Sequence, residues 1–432
     1  MAIQKFAAVA GAVMVLTAAC SSSTPTPAPT AVPSAAPTAV ASAAPSTAAA
    51  TASAAPSAAA TNLTPTSFDA SFSAMAQLKS VYAAGKGSIA VILPDTTSSS
   101  RYTAYDQPYL KQAFDAAGFA SSDYSIQNAA GTTTTELALA QAAITAGAKV
   151  LVVDPIDSTT GNQIQAAAAQ AGIPMISYDR ATFQGTNTYY VSFDNVQVGK
   201  LIGQGFMQCV TDWGVKNPKV FTLDGGQDTD PNAIDFAKGY NSVVWGQSVA
   251  QVKAGATNSQ GMTLVDEQLA PGWDNAKGGT IFQQAYTAHP DINATIEAND
   301  GLAGAVITAL KAAGVPAKKI PTTGQDATLQ GMEYVLQGWQ CGSVYKPIYI
   351  EAQAAVALAT YLRAGQTPPA ALLNGSTTDP KNSATTEPAL LLTPMWVNAA
   401  NMEATVIKDK FISVTDLCTA VGQSVCTAAG IK

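Results

Sequence analysis

The chain has 432 residues, 47% apolar and 12% charged, enough for two domains with ordinary cores once the ends are set aside. Its net charge of -7 argues against a nucleic-acid surface. The single His, His289, leaves little room for imidazole catalysis or a His-rich metal site, and its place before Pro290 reads as a surface turn.

Residues 1–20 read as an export signal: Lys5 is the basic start, Phe6 to Ala19 the apolar run, and small residues precede Cys20. The apolar run is too short to span a membrane. Its ending, Leu16-Thr17-Ala18-Ala19-Cys20, resembles a bacterial lipobox with Leu one place early, so Cys20 is the expected lipidation site. An ordinary secretory signal cleaved nearby is the plainer reading. Residues 21–66 are Ala, Pro, Ser and Thr with almost nothing large and apolar, and so read as a disordered tether. Cys209, Cys341, Cys418 and Cys426 remain, and in an exported chain they fit two disulfides with three possible connectivities. Nearness in sequence favours Cys418 with Cys426, leaving Cys209 with Cys341. No Cys-x-x-Cys pair suggests a zinc ribbon.

A helical lead-in is expected over Leu63–Ala84, then a strand over Ser88–Leu93 that ends in a polar loop carrying Arg101 and Tyr102. A helix follows from about Pro108 to Ala117, a strand over Tyr124–Gln127 and a helix over Thr134–Ala146 capped by Thr134 or Thr135. Val150–Val153 is a β-branched run, as in a buried parallel strand. Ser158–Ala171 suits a helix capped by Ser158 or Thr159, with Gly172 past its end. Pro174–Tyr178 is the next buried strand, and Asp179-Arg180 stand at its carboxyl end, which faces the ligand crevice in an open α/β sheet. A surface ion pair would place them there equally well. Tyr189–Ser192 is a fifth strand.

After Asp194-Asn195 the pattern restarts. Helices are expected over Val196–Asp212, Ala233–Ala250, Asn275–Ala288, Gly301–Ala313, Leu329–Gln337 and Ile348–Gly365. Strands are expected over Lys219–Leu223, Thr263–Gln268, Ala294–Ala298, Ile320–Thr323 and Ser343–Tyr345. A polar loop, the apolar run Leu391–Val397, a helix near Asn401–Lys408 and the Cys-bearing tail complete the chain. Strands alternating with helices define an α/β chain with parallel sheets covered on both faces.

The loops after strands collect Arg101, Tyr102, Asp179, Arg180, Asp230, Asn232, Trp273, Asn299, Asp300, Asp326 and Lys346. Each has a duller explanation: Asp300 and Asp326 precede helices and could be caps, Asn232 could shape a turn, Trp273 could be core and Lys346 solvated. Together they offer carboxylates, amides, cations and aromatic rings without a nucleophile–base pair, an inventory suited to a neutral polyol. A glycoside hydrolase would also use paired carboxylates, so these alone do not exclude an enzyme. No phosphate-binding loop or nucleophile elbow appears.

Five segments carry a resemblance: Ile176-Ser177-Tyr178-Asp179-Arg180, the run from Tyr190 to Gly199, Glu297-Ala298-Asn299-Asp300, Thr323-Gly324-Gln325-Asp326-Ala327 and Val344-Tyr345-Lys346-Pro347-Ile348. In order and spacing they resemble the periplasmic sugar-binding proteins of ABC importers, the ribose- and xylose-binding family, with the D-xylose branch nearest. The resemblance covers about Ser88 to Gly365. It implies a type I periplasmic-binding-protein fold, two Rossmann-like parallel-sheet lobes joined by a three-strand hinge, with sugar between them. The domain boundaries expected are residues 67–194 plus 347–390 for the first lobe and 195–346 plus 391–432 for the second. It further implies that Arg101, Arg180, Asp230, Asn232, Asn299, Asp326 and Lys346 hydrogen-bond the sugar while Trp273 stacks on it. Tyr102 stands where the family usually has Trp, Pro231 interrupts the Asp230–Asn232 loop, and the tail is longer.

The function expected is a non-catalytic lipoprotein on the outer face of the cell membrane. It would be a monomer without cofactor or metal, binding D-xylose or another aldose and delivering it to ABC permease subunits. An extracellular sensor feeding a membrane receptor is the alternative from another class.

Overall fold

The computed structural model describes residues 62–185 and 188–432. The export signal, Cys20 and the tether up to residue 61 lie outside the described residues. The tether expectation ran to Thr66, but Leu63 is fully buried and Pro65–Ser67 forms a 3-10 turn, so the folded part starts a few residues earlier. The lead-in is broken into 3-10 turns and one short helix, α1 (Lys79–Ala84), because Phe72 takes a left-handed φ of 58° that no continuous helix allows.

In chain order the first half contains β1 (Ile89–Leu93), α2 (Gln107–Ala117), β2 (Tyr124–Asn128), α3 (Thr133–Thr145), β3 (Val150–Val153), α4 (Ser158–Gln170), β4 (Met175–Tyr178) and β5 (Thr188–Phe193). The second contains α5 (Asn195–Asp212), β6 (Lys219–Asp224), α6 (Pro231–Val244), β7 (Thr263–Leu269), α7 (Asn275–Ala288), β8 (Ala294–Glu297), α8 (Asp300–Ala312), α9 (Leu329–Gln337) and β9 (Ser343–Tyr345). The chain then returns through α10 (Ile348–Arg363), β10 (Gly375–Asp379) and β11 (Asn382–Leu392), and finishes with β12 (Met395–Val397), α11 (Val414–Val421) and α12 (Gln423–Ala428).

The first lobe is built on a seven-stranded sheet in the order β10-β11-β5-β4-β3-β1-β2. All its pairings are parallel except that between β10 and β11. Every residue of β1, β3 and β4 is buried, as strands covered on both faces must be. The second lobe has the parallel sheet β7-β6-β8 and the antiparallel pair β12-β9. The chain passes between lobes three times, at Asp194, at Lys346-Pro347 and just after Leu392. Helices α5 and α6 meet without side chains at the contact: a Cβ on Gly199 would lie 2.0 Å from the Phe236 carbonyl oxygen, and one on Gly239 2.4 Å from that of Val196.

Several expected elements differ. Ile320–Thr323 forms no regular strand, because Pro321 has no amide hydrogen and side chains intercept the ladder. The Glu297 carboxylate accepts from the Thr323 amide at 2.8 Å, while the Thr323 hydroxyl accepts from the Glu297 amide at 2.9 Å. Only Gln325 bridges β9, opposite Val344. The helix expected to Ala250 stops at Val244, with Gly246 at φ 69°. The polar loop after α10 contains the hairpin β10–β11, whose exposed Thr and Ser residues hide any hydrophobic alternation. The helix expected near Asn401 is a π-helical turn at Glu403–Ile407. The cap of α4 is Asp157, accepting from the Thr160 amide at 2.7 Å, and Thr132 occupies the cap position of α3.

Both disulfides form as favoured, Cys209–Cys341 and Cys418–Cys426. The first fastens α5 to the turn before β9, closing a loop with a sequence separation of 132, against 8 for the second. Along the tail, Phe411 stacks on Tyr105 with ring centroids 4.0 Å apart and contacts Tyr345 at 4.8 Å. Asp409 accepts from the hydroxyls of Tyr345 and Tyr349 at 3.2 and 2.9 Å. On chain entropy, replacing Cys209 and Cys341 together by Ser is expected to cost about 5 kcal/mol, against about 2.5 kcal/mol for the Cys418–Cys426 pair. Urea unfolding of the two double variants measures the difference, and equal losses would show that loop length does not set the order.

Candidate functional site

Between the lobes lies a cleft lined by side chains from both of them. Its lining includes Arg101, Tyr102, Asp179, Arg180, Asp230, Asn232, Trp273, Asn299, Asp326 and Lys346. Ten of the eleven candidate residues are therefore brought together.

The first lobe contributes Arg101, Tyr102, Asp179 and Arg180. Arg101 is 2% exposed and makes four hydrogen bonds to carboxylates. Its Nε and Nη2 donate to Asp106 at 2.9 and 2.8 Å, Nη1 to Asp179 at 2.8 Å and Nη2 to Glu351 at 2.7 Å. Asp106 also accepts from Tyr178 at 2.6 Å. The Arg180 guanidinium is aimed by the carbonyls of Pro155 and Ile156, at 3.0 and 3.1 Å, and donates to the Tyr102 hydroxyl at 3.1 Å. Its Nε lies 3.5 Å from Asp230 across the cleft and 3.9 Å from Asp154. Glu136 pins that carbonyl loop by accepting from the Ile156 amide.

The second lobe contributes the rest. Asp230 caps α6 through the Asn232 amide at 2.8 Å and accepts from Trp273 Nε1 at 3.1 Å. The indole lies over a shelf without side chains: a Cβ on Gly225 would meet the ring at 2.1 Å. Phe236, one turn after Asn232 on α6, also lines the cleft and meets Trp273 edge-on at 6.2 Å. Asn299 caps α8 through the Leu302 amide at 2.8 Å. Lys346 Nζ lies 3.0 Å from Asp326 and 3.9 Å from Asp179, and Asp326 accepts from Ser99 of the opposite lobe at 3.2 Å. The Asp179 main-chain carbonyl accepts from Tyr190 at 2.7 Å and from Asn232 at 2.6 Å.

Asp300 is the exception. Its carboxylate turns away from the cleft to accept from the Thr328 amide at 2.8 Å, Gln340 at 2.8 Å and Ser343 at 2.7 Å. Gly324 and Gly331 close over it, each leaving no room for a Cβ. Asp300 therefore ties the start of α8 to the loops around β9, while the cap positions belong to Asn299 and Thr328. The sequence reading missed Ser98, Ser99, Phe236 and Gln325 as lining residues. Helical spacing from Asn232 could have found Phe236.

Burial dominates the electrostatics. It raises Asp230 to about 6, with Arg180 opposing, and Asp300 to about 7, with Ser343 opposing. It raises Glu351 to about 8 against the pull of Arg101. Burial also pushes Asp154 up, assisted by Asp179. For Asp179 the burial effect is overridden by Arg101, Lys346 and Arg180 together, and its carboxyl is held below the usual range.

Two lobes closing on a polar, aromatic-floored cleft define a solute-binding protein. A family model for the periplasmic binding protein domain matches residues 89–367. The D-xylose-binding periplasmic protein of Escherichia coli K12 is 32% identical over 294 residues, covering 68% of this chain and 82% of that protein. The multiple sugar-binding periplasmic receptor ChvE of Rhizobium radiobacter is 29% identical over 345 residues, covering 78% and 94%. The carbohydrate transporter solute-binding protein of Chloroflexus aurantiacus, solved with D-glucose, superposes with a TM-score of 0.63 at 24% identity, covering 76% of this chain and 97% of that one. The chain belongs to the periplasmic binding protein family, among the sugar-binding members that serve ABC transporters. These proteins bind and do not catalyse.

The raised carboxyls set a pH dependence. In the unfolded chain Asp230, Asp300 and Glu351 lose their protons near the ordinary carboxyl values of 3.8, 3.8 and 4.5, before the folded groups do. The folded state binds more protons between about pH 4 and 8, so stability falls as pH rises through that window. The sugar-free protein should melt at a higher temperature at pH 5 than at pH 8, and Asp300→Asn should flatten the slope. Scanning calorimetry at the two pH values checks both.

Proposed function

We propose that the protein captures a single aldose between its lobes, D-xylose foremost, and delivers it to an ABC permease. The observation that carries this reading is the cleft: carboxylates, amides and guanidinium groups over an indole floor, with cations and anions interleaved so that neither sign dominates. Such a lining pairs vicinal hydroxyls in donor and acceptor roles, and the Trp273 ring matches the C–H face of a pyranose. Asp179, Arg180, Asp230, Asn232, Asn299, Asp326 and Lys346 would make the polar contacts. Arg101 is engaged by three carboxylates and would act chiefly by holding Asp179 in place, with Tyr102 orienting Arg180.

Similarity to D-xylose-binding proteins supports the pentose. D-xylose and D-glucose match at every ring hydroxyl, so the polar contacts alone cannot separate them. They differ by the hydroxymethyl group of glucose, which a closed cleft must house and pair. Leaving that hydroxyl buried and unpaired costs about 1–3 kcal/mol, roughly one to two decades of affinity. In calorimetric titration D-xylose is expected to bind at least ten-fold more tightly than D-glucose, and Trp273→Ala is expected to weaken both. Equal affinities would remove the pentose assignment.

We also propose that Cys20 carries a lipid that holds the protein at the outer face of the membrane. The motive is the small-residue run ending in Cys and followed by the Ala/Pro/Ser/Thr segment. Wild type should partition into the detergent phase and Cys20→Ala into the aqueous phase. The same partition for both would remove the anchor.

A further inference from the structure

The Gln325 side chain has no part in the contacts assigned so far, yet the residue lines the cleft and is 2% exposed. Among the described residues its amide oxygen has no hydrogen-bond partner. Buried polar atoms are almost always paired, so an unpaired one in a ligand cleft points to what enters it. The other two amides of the lining have partners for their oxygens: Asn299 the Leu302 amide at 2.8 Å, and Asn232 the Tyr190 hydroxyl at 3.0 Å, whose proton is shared with the Asp179 carbonyl. The acidic side chains of the lining have partners as well: Asp179 is bonded by Arg101 and Asp230 by Trp273, while Asp326 accepts from Ser99 through Oδ2 and has only the ion pair with Lys346 at Oδ1.

The backbone holds Gln325 firmly. Its carbonyl accepts from the Asp300 amide at 3.1 Å, the Gly324 carbonyl from Val344 at 3.0 Å, and the Asp326 amide donates to Val344 at 2.8 Å. Consecutive side chains of an extended segment point to opposite sides. The left-handed φ of 89° at Asp326 breaks that alternation, and Gln325 and Asp326 both reach the cleft. Strain of this kind is kept where it positions functional groups.

We propose that Gln325 is a specificity-determining contact whose amide oxygen accepts a hydrogen bond from one ring hydroxyl of the bound monosaccharide; this rests on the sugar-binding reading above. A neutral acceptor on a rigid segment rejects a sugar lacking that hydroxyl, because the oxygen is then left buried and unpaired.

The test is calorimetric titration of D-xylose and its 2-, 3- and 4-deoxy analogues into wild type, Gln325→Met and Gln325→Leu, with thermal melting of each sugar-free protein to establish folding. Met keeps the length and removes the amide, and Leu serves if the Met variant does not fold. The variant is expected to bind D-xylose about ten-fold more weakly. One deoxy analogue should lose about ten-fold against wild type and nothing further against the variant, while the others lose equally in both. Unchanged D-xylose affinity in a folded variant overturns the Gln325 contact and leaves the sugar reading intact. Equal losses for all three analogues in both proteins overturn it too. Wild type binding no monosaccharide overturns the sugar reading itself and the contact with it.

Discussion

The ionised carboxylate of Asp179 is the constraint on which the cleft depends. It meets Arg101 at 2.8 Å and Lys346 at 3.9 Å, so cations from both lobes converge on it. The main-chain carbonyl of the same residue receives Tyr190 from its own lobe and Asn232 from the other. A buried carboxylate is tolerated only when paired, and removing one partner of such a group is strongly destabilising. The surrounding groups follow from this. Glu351 and Asp106 share the Arg101 guanidinium, and Asp326 holds Lys346. A cleft whose charges are already matched gains little from a charged solute and most from one that offers hydroxyls.

A second device recurs at the rim. Asp179, Trp273 and Asp326 are non-glycine residues with left-handed φ, at 57°, 61° and 89°. Each follows or joins a strand end or tight turn, and each lines the cleft. At Asp179 the break sends Asp179 and Arg180 into the same space, and at Asp326 it does so for Gln325 and Asp326. Positive φ without glycine is uncommon, so three instances on one cavity tie local strain to ligand contact.

Much of this was legible in the residues. The alternation of apolar runs with helical stretches gave the α/β architecture, and the loop-borne Asp, Asn, Arg and Trp residues converge on one cavity because parallel strands all deliver their carboxyl ends to the same side. Three kinds of feature were not legible. Ile320–Thr323 looks like a strand, but Glu297 and Thr323 exchange side-chain bonds for ladder bonds. The hairpin β10–β11 has too little apolar alternation to register. Asp300 sits beside Asn299 in a pattern that suggests a matched pair, yet the first turn of α8 points it inward to Ser343 and Gln340. Gln325 was hidden by the alternation rule that Asp326 breaks.

The stacking of Phe411 on Tyr105 makes the tail a mechanical element. Tyr105 belongs to the π-helical turn that begins at Tyr102, and Phe411 also touches Tyr345, one residue before the Lys346-Pro347 crossover. Any rotation of one lobe against the other about that crossover must slide or separate these rings. An aromatic contact of this kind contributes about 0.5–1.5 kcal/mol beyond its buried area. The segment past the third crossover thus ties the turn that carries Tyr102 to the strand that leads into Lys346.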